Sequence, residues 1–259
     1  VGEDATTPDH ANFDTDDIAI RANLAMDSWV PGGFGKFIVD QWPGGANNAW
    51  ALSVQADGKL GLSWSTDGTA VTTETSTNSL GFHAGSEHWI GAYLDANDGA
   101  GGRRIIFETS TDGVTWTTID DYTRVGTTSI FNSTAEVSTG GILTWAGYMK
   151  SLEIRLGPTP GLGTIVANPN FAGQPAGTTS FADTAATPKT WTINTGASIA
   201  LIPGSNAQAP TLRNWVLRSI PSPQVTQRFL VPIRRNHNLT PHHGPHRGLH
   251  THIELQFLA

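Results

Sequence analysis

Tryptophan is the residue type in this chain best suited to binding chemistry. The chain has nine tryptophans in 259 residues, and an indole ring can stack on the apolar face of a sugar while polar neighbours bond to its hydroxyl groups. Trp42 lies in the run DQWPGGANNAW, beside a Pro-Gly-Gly loop. We therefore predict glycan binding by Trp42, Asn47 and Asn48. The tryptophans inside strand-like runs are instead predicted to lie in the core: Trp50, Trp64, Trp89, Trp116, Trp145 and Trp191.

Two short patterns could hold a metal ion. The loop DANDG offers the carboxylates of Asp95 and Asp98, which are ligands that Ca²⁺ prefers, although an Asx-rich hairpin turn explains the same residues. In LHTHIELQF, strand alternation puts His250 and His252 on one face. Phage spikes and fibres often use such a pair at a threefold axis, where six imidazoles hold one iron ion. The alternative is a strand of neutral histidines that faces solvent or another subunit, so Ca and Fe are candidates and no cofactor is certain.

Catalytic patterns are missing from the sequence. The run STDGVTW (110–116) is similar to the Asp-box of sialidase propellers, one residue shorter, and in that motif the aspartate stabilises a turn while the aromatic ring packs beneath it. WSTDGT (64–69) predicts a second hairpin turn of the same kind. Neither a run of alternating carboxylates nor a G-x-S-x-G elbow is present, and His10, His83 and His88 have no evident partners. We therefore predict no catalytic residue and no enzymatic activity.

The period of the apolar residues predicts an all-β fold. Short runs alternate apolar and polar residues from about Asp17 to Gly157, and turn residues separate them every ten positions or so. WALSVQA and KLGLSWS are joined by Asp57-Gly58, a dipeptide suited to a tight hairpin. Three further strands are predicted in 164–168, 178–183 and 189–202, and they would close the same domain. About thirteen strands fit a jelly-roll sandwich of two antiparallel sheets with a C-terminal extension.

Charge divides the chain near residue 210. Residues 1–210 carry 9 Lys and Arg against 21 Asp and Glu, whereas residues 211–259 carry 6 Arg against one Glu and hold six of the nine histidines. We predict a sandwich over 1–210 and a basic, His-rich arm over 211–259. The arm lacks the aromatic interleaving of a nucleic-acid site, so its arginines are assigned to assembly with an acidic neighbour: Arg213, Arg218, Arg228, Arg234 and Arg235. A shifted reading frame would also change the composition, but the regular LHTHIELQF strand argues against it.

Composition excludes several classes of protein. The chain has no cysteine, so disulfides and thiolate metal sites are excluded. No apolar run approaches the length of a membrane span, and VGEDATTPDH is acidic where a signal peptide would be basic and then apolar. We therefore expect no membrane insertion.

An ordered series of runs extends over about residues 5–200: DIAIRANLAMDSW, KFIVDQW, WALSVQADGKLGLSWSTDGT, HWIGAYLDANDGAGG, ETSTDGVTWT, GTTSIFNSTAEVSTGG and VANPNFAGQPAGTTSFADTAATPKTWTI. This series resembles the concanavalin A-like, laminin-G-like domain of minor tail proteins of actinobacterial phages. The resemblance implies a virion component on an exposed particle surface that serves display, adhesion or recognition of a host-surface glycan. Its expected partners are other virion proteins and copies of itself, with a trimer as the arrangement that an iron site would need.

Two other functions stay open at this stage. The chain could be a secreted or cell-surface bacterial lectin-like domain whose C-terminal arm is incidental. A glycan depolymerase on the same scaffold is the third candidate.

Overall fold

The structure is a computed structural model that describes residues 4–140, 143, 145–157, 161–201 and 215–219. In these residues sixteen strands form two antiparallel sheets. The first sheet has the order β13 (Ser180–Ala182), β14 (Thr190–Ile193), β1 (Ala5–Thr7), β10 (Val137–Ser138), β3 (Lys36–Asp40), β4 (Trp50–Val54), β5 (Leu60–Ser65) and β6 (Val71–Thr75). The second has the order β15 (Ala197–Leu201), β16 (Trp215–Ser219), β11 (Gly147–Leu156), β2 (Ile18–Met26), β7 (Glu87–Asp95), β8 (Gly102–Ser110) and β9 (Thr117–Val125), and β12 (Thr164–Ala167) also pairs with β11.

This arrangement confirms the predicted fold class, an all-β jelly-roll sandwich of two antiparallel sheets. Two short 3-10 helices, Ala11–Phe13 and Phe171–Gly173, accompany the strands. Within the described part of the chain, no helix has the length and apolar character needed to cross a membrane.

Alternation builds the core, as β2 shows. The side chains of Ile18, Ile20, Ala22, Leu24 and Met26 are at most 1% exposed and face the first sheet's buried residues. Each fully buried aliphatic side chain contributes about 1.5–3 kcal/mol to folding. The residues on the other face of β2 are also largely buried, and the strand is central in its sheet, between β11 and β7.

The predicted hairpin after Trp50 is confirmed. Strands β4 and β5 pair from Trp50 opposite Trp64 to Val54 opposite Leu60. Gly58 has a φ of 80° in the connecting turn, a conformation that an L side chain rarely adopts.

The prediction of a single strand over 189–202 is wrong in one respect, because this segment forms two strands that belong to different sheets. Strand β14 pairs with β1 and β13 in the first sheet, whereas β15 pairs with β16 in the second. The break lies at Asn194, whose side-chain amide donates to the Asp4 carboxylate at 2.8 Å, and at Gly196, which has a φ of 103°. Residues 164–201 thus close both sheets of one sandwich, as predicted.

The segment predicted as a basic arm contributes β16, which pairs with β11 and β15 through its backbone. Arg218 stands in this strand, opposite Tyr148 and Ser198. The other assembly residues lie outside the described residues: Arg213, Arg228, Arg234 and Arg235. The boundary at residue 210 stays a prediction, because residues 202–214 and 220–259 lie outside the described residues.

Candidate functional site

The hairpin turn between β8 and β9 is held by one carboxylate. Asp112 Oδ1 accepts hydrogen bonds from the backbone N–H groups of Val114 at 2.8 Å and Thr115 at 2.7 Å, and from Ser110 Oγ at 2.9 Å. These bonds stabilise the ionised carboxylate and lower the pKa of Asp112 to about 2. The structural role predicted for this Asp-box-like run is confirmed.

The aromatic ring of this motif lies on the outer face of the second sheet. Trp116 Nε1 donates to the Gly113 carbonyl oxygen at 3.2 Å, and its ring meets the Trp89 ring edge-on with centroids 6.0 Å apart. The Arg21 guanidinium carbon lies 4.0 Å from the centroid of the Trp116 ring, within cation–π range.

The prediction that six tryptophans lie in the core is therefore right for four of them. Trp50, Trp64, Trp145 and Trp191 are at most 4% exposed. Trp89 and Trp116 are half-buried, and Trp89 pairs with Ser110 on the face away from the core. Alternation identifies two faces of a strand but does not say which of them meets the other sheet.

A cavity of about 200 Å³ lies beside this turn, where the core ends. We call it the end cavity. Thr109 and Thr117 are register partners on β8 and β9 and point to the core side, because Thr109 also pairs with the buried Ile90. The end cavity is lined by Phe82, His88, Thr109, Ser110, Thr111, Thr115 and Thr117.

Two stacked rings form one wall of the end cavity. The rings of Phe82 and His88 are parallel within 9°, with centroids 3.6 Å apart. Trp29 meets both rings edge-on, at 5.0 Å and 5.9 Å, and its indole N–H donates to the Ser86 carbonyl oxygen at 3.1 Å. The loop before β7 is thus fixed against the loop after β2, which orients the aromatic wall.

His88 has a defined hydrogen-bonding environment that the sequence did not reveal. Its Nε2 lies 3.0 Å from Ser86 Oγ, and Ser86 Oγ donates to the His83 carbonyl oxygen at 2.6 Å. Burial lowers the pKa of His88 below its ordinary value of 6.5, against the opposing charge of Glu87. His10 also has a partner, because its Nδ1 accepts from the Asn12 backbone N–H at 3.0 Å.

The other residues that line the end cavity carry hydroxyl groups. Ser110 Oγ is committed to the Asp112 turn. The hydroxyl groups of Thr109, Thr111 and Thr117 make no hydrogen bond within the residues that the structure describes. Three threonines with uncommitted hydroxyl groups therefore line the same small cavity as the aromatic pair, and no sequence motif brought these residues together.

The predicted glycan residues lie at the opposite end of the sandwich. Trp42 is 7% exposed and meets the Phe37 ring edge-on at 6.1 Å, so its ring offers little surface for stacking. Asn48 is 4% exposed and bonds within its own loop to Gly44 and Gly45. Asn47 bonds to Thr134 through both of its side-chain polar atoms. These contacts organise the loop, and glycan binding by the three residues stays a prediction.

The predicted calcium loop forms a network of Asx turns. Asp95 Oδ1 accepts from the Asn97 N–H at 3.1 Å, and Asp98 Oδ1 accepts from the N–H groups of Ala100 and Gly102 at 2.8 and 2.9 Å. Among the residues that the structure describes, no group of three or more His, Asp or Glu side chains could hold a metal ion. The predicted metal ligands His250 and His252 lie outside the described residues.

One buried ionic cluster was not predicted, because its members come from separate strands. Arg21 lies next to Gly91 in the register of β2 and β7, and Gly91 lies next to Glu108 in that of β7 and β8. The Arg21 guanidinium bonds to Glu108 Oε1 at 2.8 Å, and the Tyr93 hydroxyl donates to the same oxygen. Burial and then Glu108 raise the pKa of Tyr93. The charges of Arg21 and Glu108 therefore satisfy one another on the outer face of the sheet.

No protein family and no curated protein matches the chain. Solved structures that are similar to it include a heptameric SAP-like pentraxin from Limulus polyphemus, 12% identical over 58% of this chain and 74% of that chain, with a TM-score of 0.35. The binding domain of botulinum neurotoxin serotype C1 is 12% identical over 79% of this chain and 33% of that chain, with a TM-score of 0.33. The CBM40 domain of a Ruminococcus gnavus sialidase, bound to α2,6-sialyllactose, is 11% identical over 54% of this chain and 88% of that chain, with a TM-score of 0.29.

The chain thus spans about three quarters of the pentraxin chain but only about a third of the toxin chain.

Proposed function

We propose that this chain is a carbohydrate-binding protein that holds one sugar unit of a glycan in the end cavity. The observation that carries the proposal is the pairing of a stacked aromatic wall, Phe82 on His88, with the hydroxyls of Thr109, Thr111 and Thr117. A pyranose presents an apolar face and a rim of hydroxyl groups, so it matches both sets of lining residues. The end cavity lies at loops on a rigid sandwich, where binding sites commonly occur.

The size of the end cavity limits what it can hold. Pockets for drug-sized ligands measure about 300–1,000 Å³, whereas this cavity measures about 200 Å³. It therefore suits a single terminal or branching sugar rather than a stretch of several units. Affinity for one such unit would be low, and several copies of the chain on one particle would raise it through multivalency.

We further propose that binding occurs without turnover. Glycosidases place two carboxyl groups around the scissile bond, and the residues that line the end cavity include no carboxylate. Release of reducing ends from a bound glycan would contradict this proposal.

The proposed setting is the surface of a phage particle, with residues 211–259 as the attachment to other virion proteins or to further copies of the chain. The resemblance of residues 5–200 to minor tail proteins supports this setting. The alternative is a secreted or cell-surface bacterial lectin-like protein. The chain should be found in purified virions under the first proposal, whereas glycan binding with no association with particles would favour the second.

The central experiment is a glycan-array measurement with a matched pair of variants. Thr111 and Thr66 occupy the same position in the two Ser-Thr-Asp-Gly turns and both are exposed, but only Thr111 lines the end cavity. Thr111→Val should weaken binding about three- to tenfold, the equivalent of one neutral hydrogen bond, and Thr66→Val should leave it unchanged. An array with no bound glycan, or equal losses in both variants, would overturn the proposal.

A further inference from the structure

We propose that the end cavity selects an uncharged sugar, and that His88 Nδ1 accepts a hydrogen bond from one hydroxyl group of that sugar. This inference rests on the proposed glycan-binding function. It adds the charge class of the ligand and one specificity-determining residue.

The charge class follows from the groups around the end cavity. A sugar carboxylate, sulfate or phosphate is held by Arg, Lys or a metal ion in most binding sites, because a desolvated anion needs a compensating charge. No Arg or Lys lines the end cavity. Two cations of the same sheet are already paired on its outer face, Arg21 with Glu108 and Lys150 with Glu87.

One turn beside the end cavity carries a fixed negative charge. Asp112 lies in the turn that supplies Ser110, Thr111 and Thr115 to the end cavity. Its low pKa of about 2 keeps it ionised at neutral pH. An anionic sugar would therefore meet repulsion from Asp112, with no cation among the lining residues to offset it.

The role of His88 follows from the order of hydrogen bonds in its loop. Ser86 Oγ has one proton and donates it to the His83 carbonyl oxygen, so toward His88 it can only accept. The proton of the neutral imidazole must then lie on Nε2, which donates to Ser86 Oγ. Nδ1 is left with a lone pair, and no described residue donates to it. A sugar hydroxyl is the donor that this atom lacks.

The groups packed around His88 keep the ring neutral. Trp29 and Phe82 contact it from the two adjoining loops. Its register partner on β2 is Leu24, and Ile90, two positions further along β7, pairs with Thr109 on β8. None of these residues titrates near neutral pH. Glu87 is the charged group whose field favours protonation, and burial outweighs it. The ring of His83 is exposed, and this residue reaches the network through its backbone carbonyl.

Protonation of His88 would convert Nδ1 from an acceptor into a donor. Because the pKa of His88 lies below 6.5, binding should be constant from pH 8 to pH 7 and should fall only at more acidic pH, as the pH passes through that lowered pKa. A ring that only packs in the core would give no such dependence of affinity on pH.

The first arm of the test is an array that prints neutral oligosaccharides beside their sialylated, sulfated and uronic-acid counterparts. Binding confined to neutral glycans supports the inference. Preferential binding of an anionic member overturns it while leaving glycan binding intact. An array with no bound glycan overturns the proposed function itself, so the two failures are distinguishable.

The second arm is a pH titration of the strongest neutral binder on the array with three variants of the full chain. His88→Phe keeps an aromatic ring on Phe82 and should lose about tenfold in affinity, with no pH dependence. His88→Asn places an amide oxygen near the position of Nδ1 and should restore part of the affinity, also without pH dependence. His83→Phe, the matched control in the same loop, should behave as wild type. A flat wild-type profile, or unchanged affinity in His88→Phe, would overturn the role of His88.

Discussion

The two ends of the sandwich carry the same turn in different surroundings. Ser65 to Ala70 and Ser110 to Thr115 share the Ser-Thr-Asp-Gly sequence, and in each turn one aspartate oxygen accepts from two backbone N–H groups at 2.7–2.8 Å. The pKa of Asp67 and that of Asp112 are both lowered to about 2 by these bonds. Identical local chemistry therefore does not distinguish a binding end from a structural end.

The difference lies in what covers each turn. At the first turn, Phe131 N–H donates to the Ser65 carbonyl at 2.7 Å and Asn48 N–H donates to the Gly68 carbonyl at 3.1 Å, so two loops close over it. We call this the closed end. At the second turn, the neighbouring loop supplies Phe82 and His88 and leaves the end cavity between them and the threonines. We call this the cavity end. Loops, rather than the turn itself, create the candidate site.

Glycine substitutions give the largest expected difference between the ends. Gly68 and Gly113 both have a positive φ, 84° and 73°. A Cβ on Gly68 would lie 2.5 Å from the backbone oxygen of Ala46, whereas a Cβ on Gly113 would lie 2.7 Å from the Trp89 ring. Gly68→Ala should destabilise the protein by about 3 kcal/mol, from left-handed strain and overpacking against a fixed backbone. Gly113→Ala should cost about 1–2 kcal/mol, because a half-buried ring can shift.

Urea denaturation followed by tryptophan fluorescence measures both values. Gly99→Ala is the matched control, since Gly99 has a φ of 77° and no atom within 4 Å of its Cβ position. It reports the backbone strain alone. Equal losses in Gly68→Ala and Gly113→Ala would mean that the closed end is no more tightly packed than the cavity end.

The sequence predicts the sandwich better than it predicts the site. Period-two alternation identifies the core residues of β2, β4 and β5, and Asp-Gly identifies the turns, because both signals are local. The end cavity joins Phe82 from a loop to Thr109 and Thr117 from two strands, and only strand register brings them together. A threonine also gives no sign of a binding role in this sequence, because many other threonines simply form strands. The Pro-Gly-Gly loop beside Trp42 predicts an exposed ring, but tertiary packing buries it.

The closed end also contains a buried carboxyl group in its supporting strand, and its removal should give the next largest effect. Asp40 is 1% exposed, its Oδ1 accepts from the Trp42 N–H at 3.1 Å, and its Oδ2 has no partner among the described residues. Burial, with help from Asp4 and Glu136, raises the pKa of Asp40 well above 3.8. The folded state therefore holds the proton more tightly than the unfolded state, and stability is lost as the pH rises from 3.8 through the folded pKa.

Asp40→Asn removes the ionisable group while keeping the acceptor for Trp42. The variant should match wild type near pH 4 and exceed it near pH 8 by about 1–3 kcal/mol, the range for an unsatisfied buried polar group. Urea midpoints at pH 4, 6 and 8 measure the difference. A constant difference across this range would show that Asp40 does not titrate there.

The smallest effects are expected from the two turn aspartates, and their pH dependence has the opposite sign to that of Asp40. The folded pKa of each is about 2, below the unfolded value of 3.8, so the stabilisation is present above pH 3.8 and is lost as the pH falls through 2. Asp67→Asn and Asp112→Asn should each be slightly less stable than wild type at pH 6, and each should converge with wild type near pH 2. NMR titration of the two carboxyl carbons measures the pKa values directly. Because both aspartates are fully exposed, the closed end and the cavity end should give the same result. If the carboxyl group at one end titrates near 3.8, its hydrogen bonds to the turn are weaker there. The loops that cover the turn, and not the turn sequence alone, would then determine how strongly the aspartate holds it.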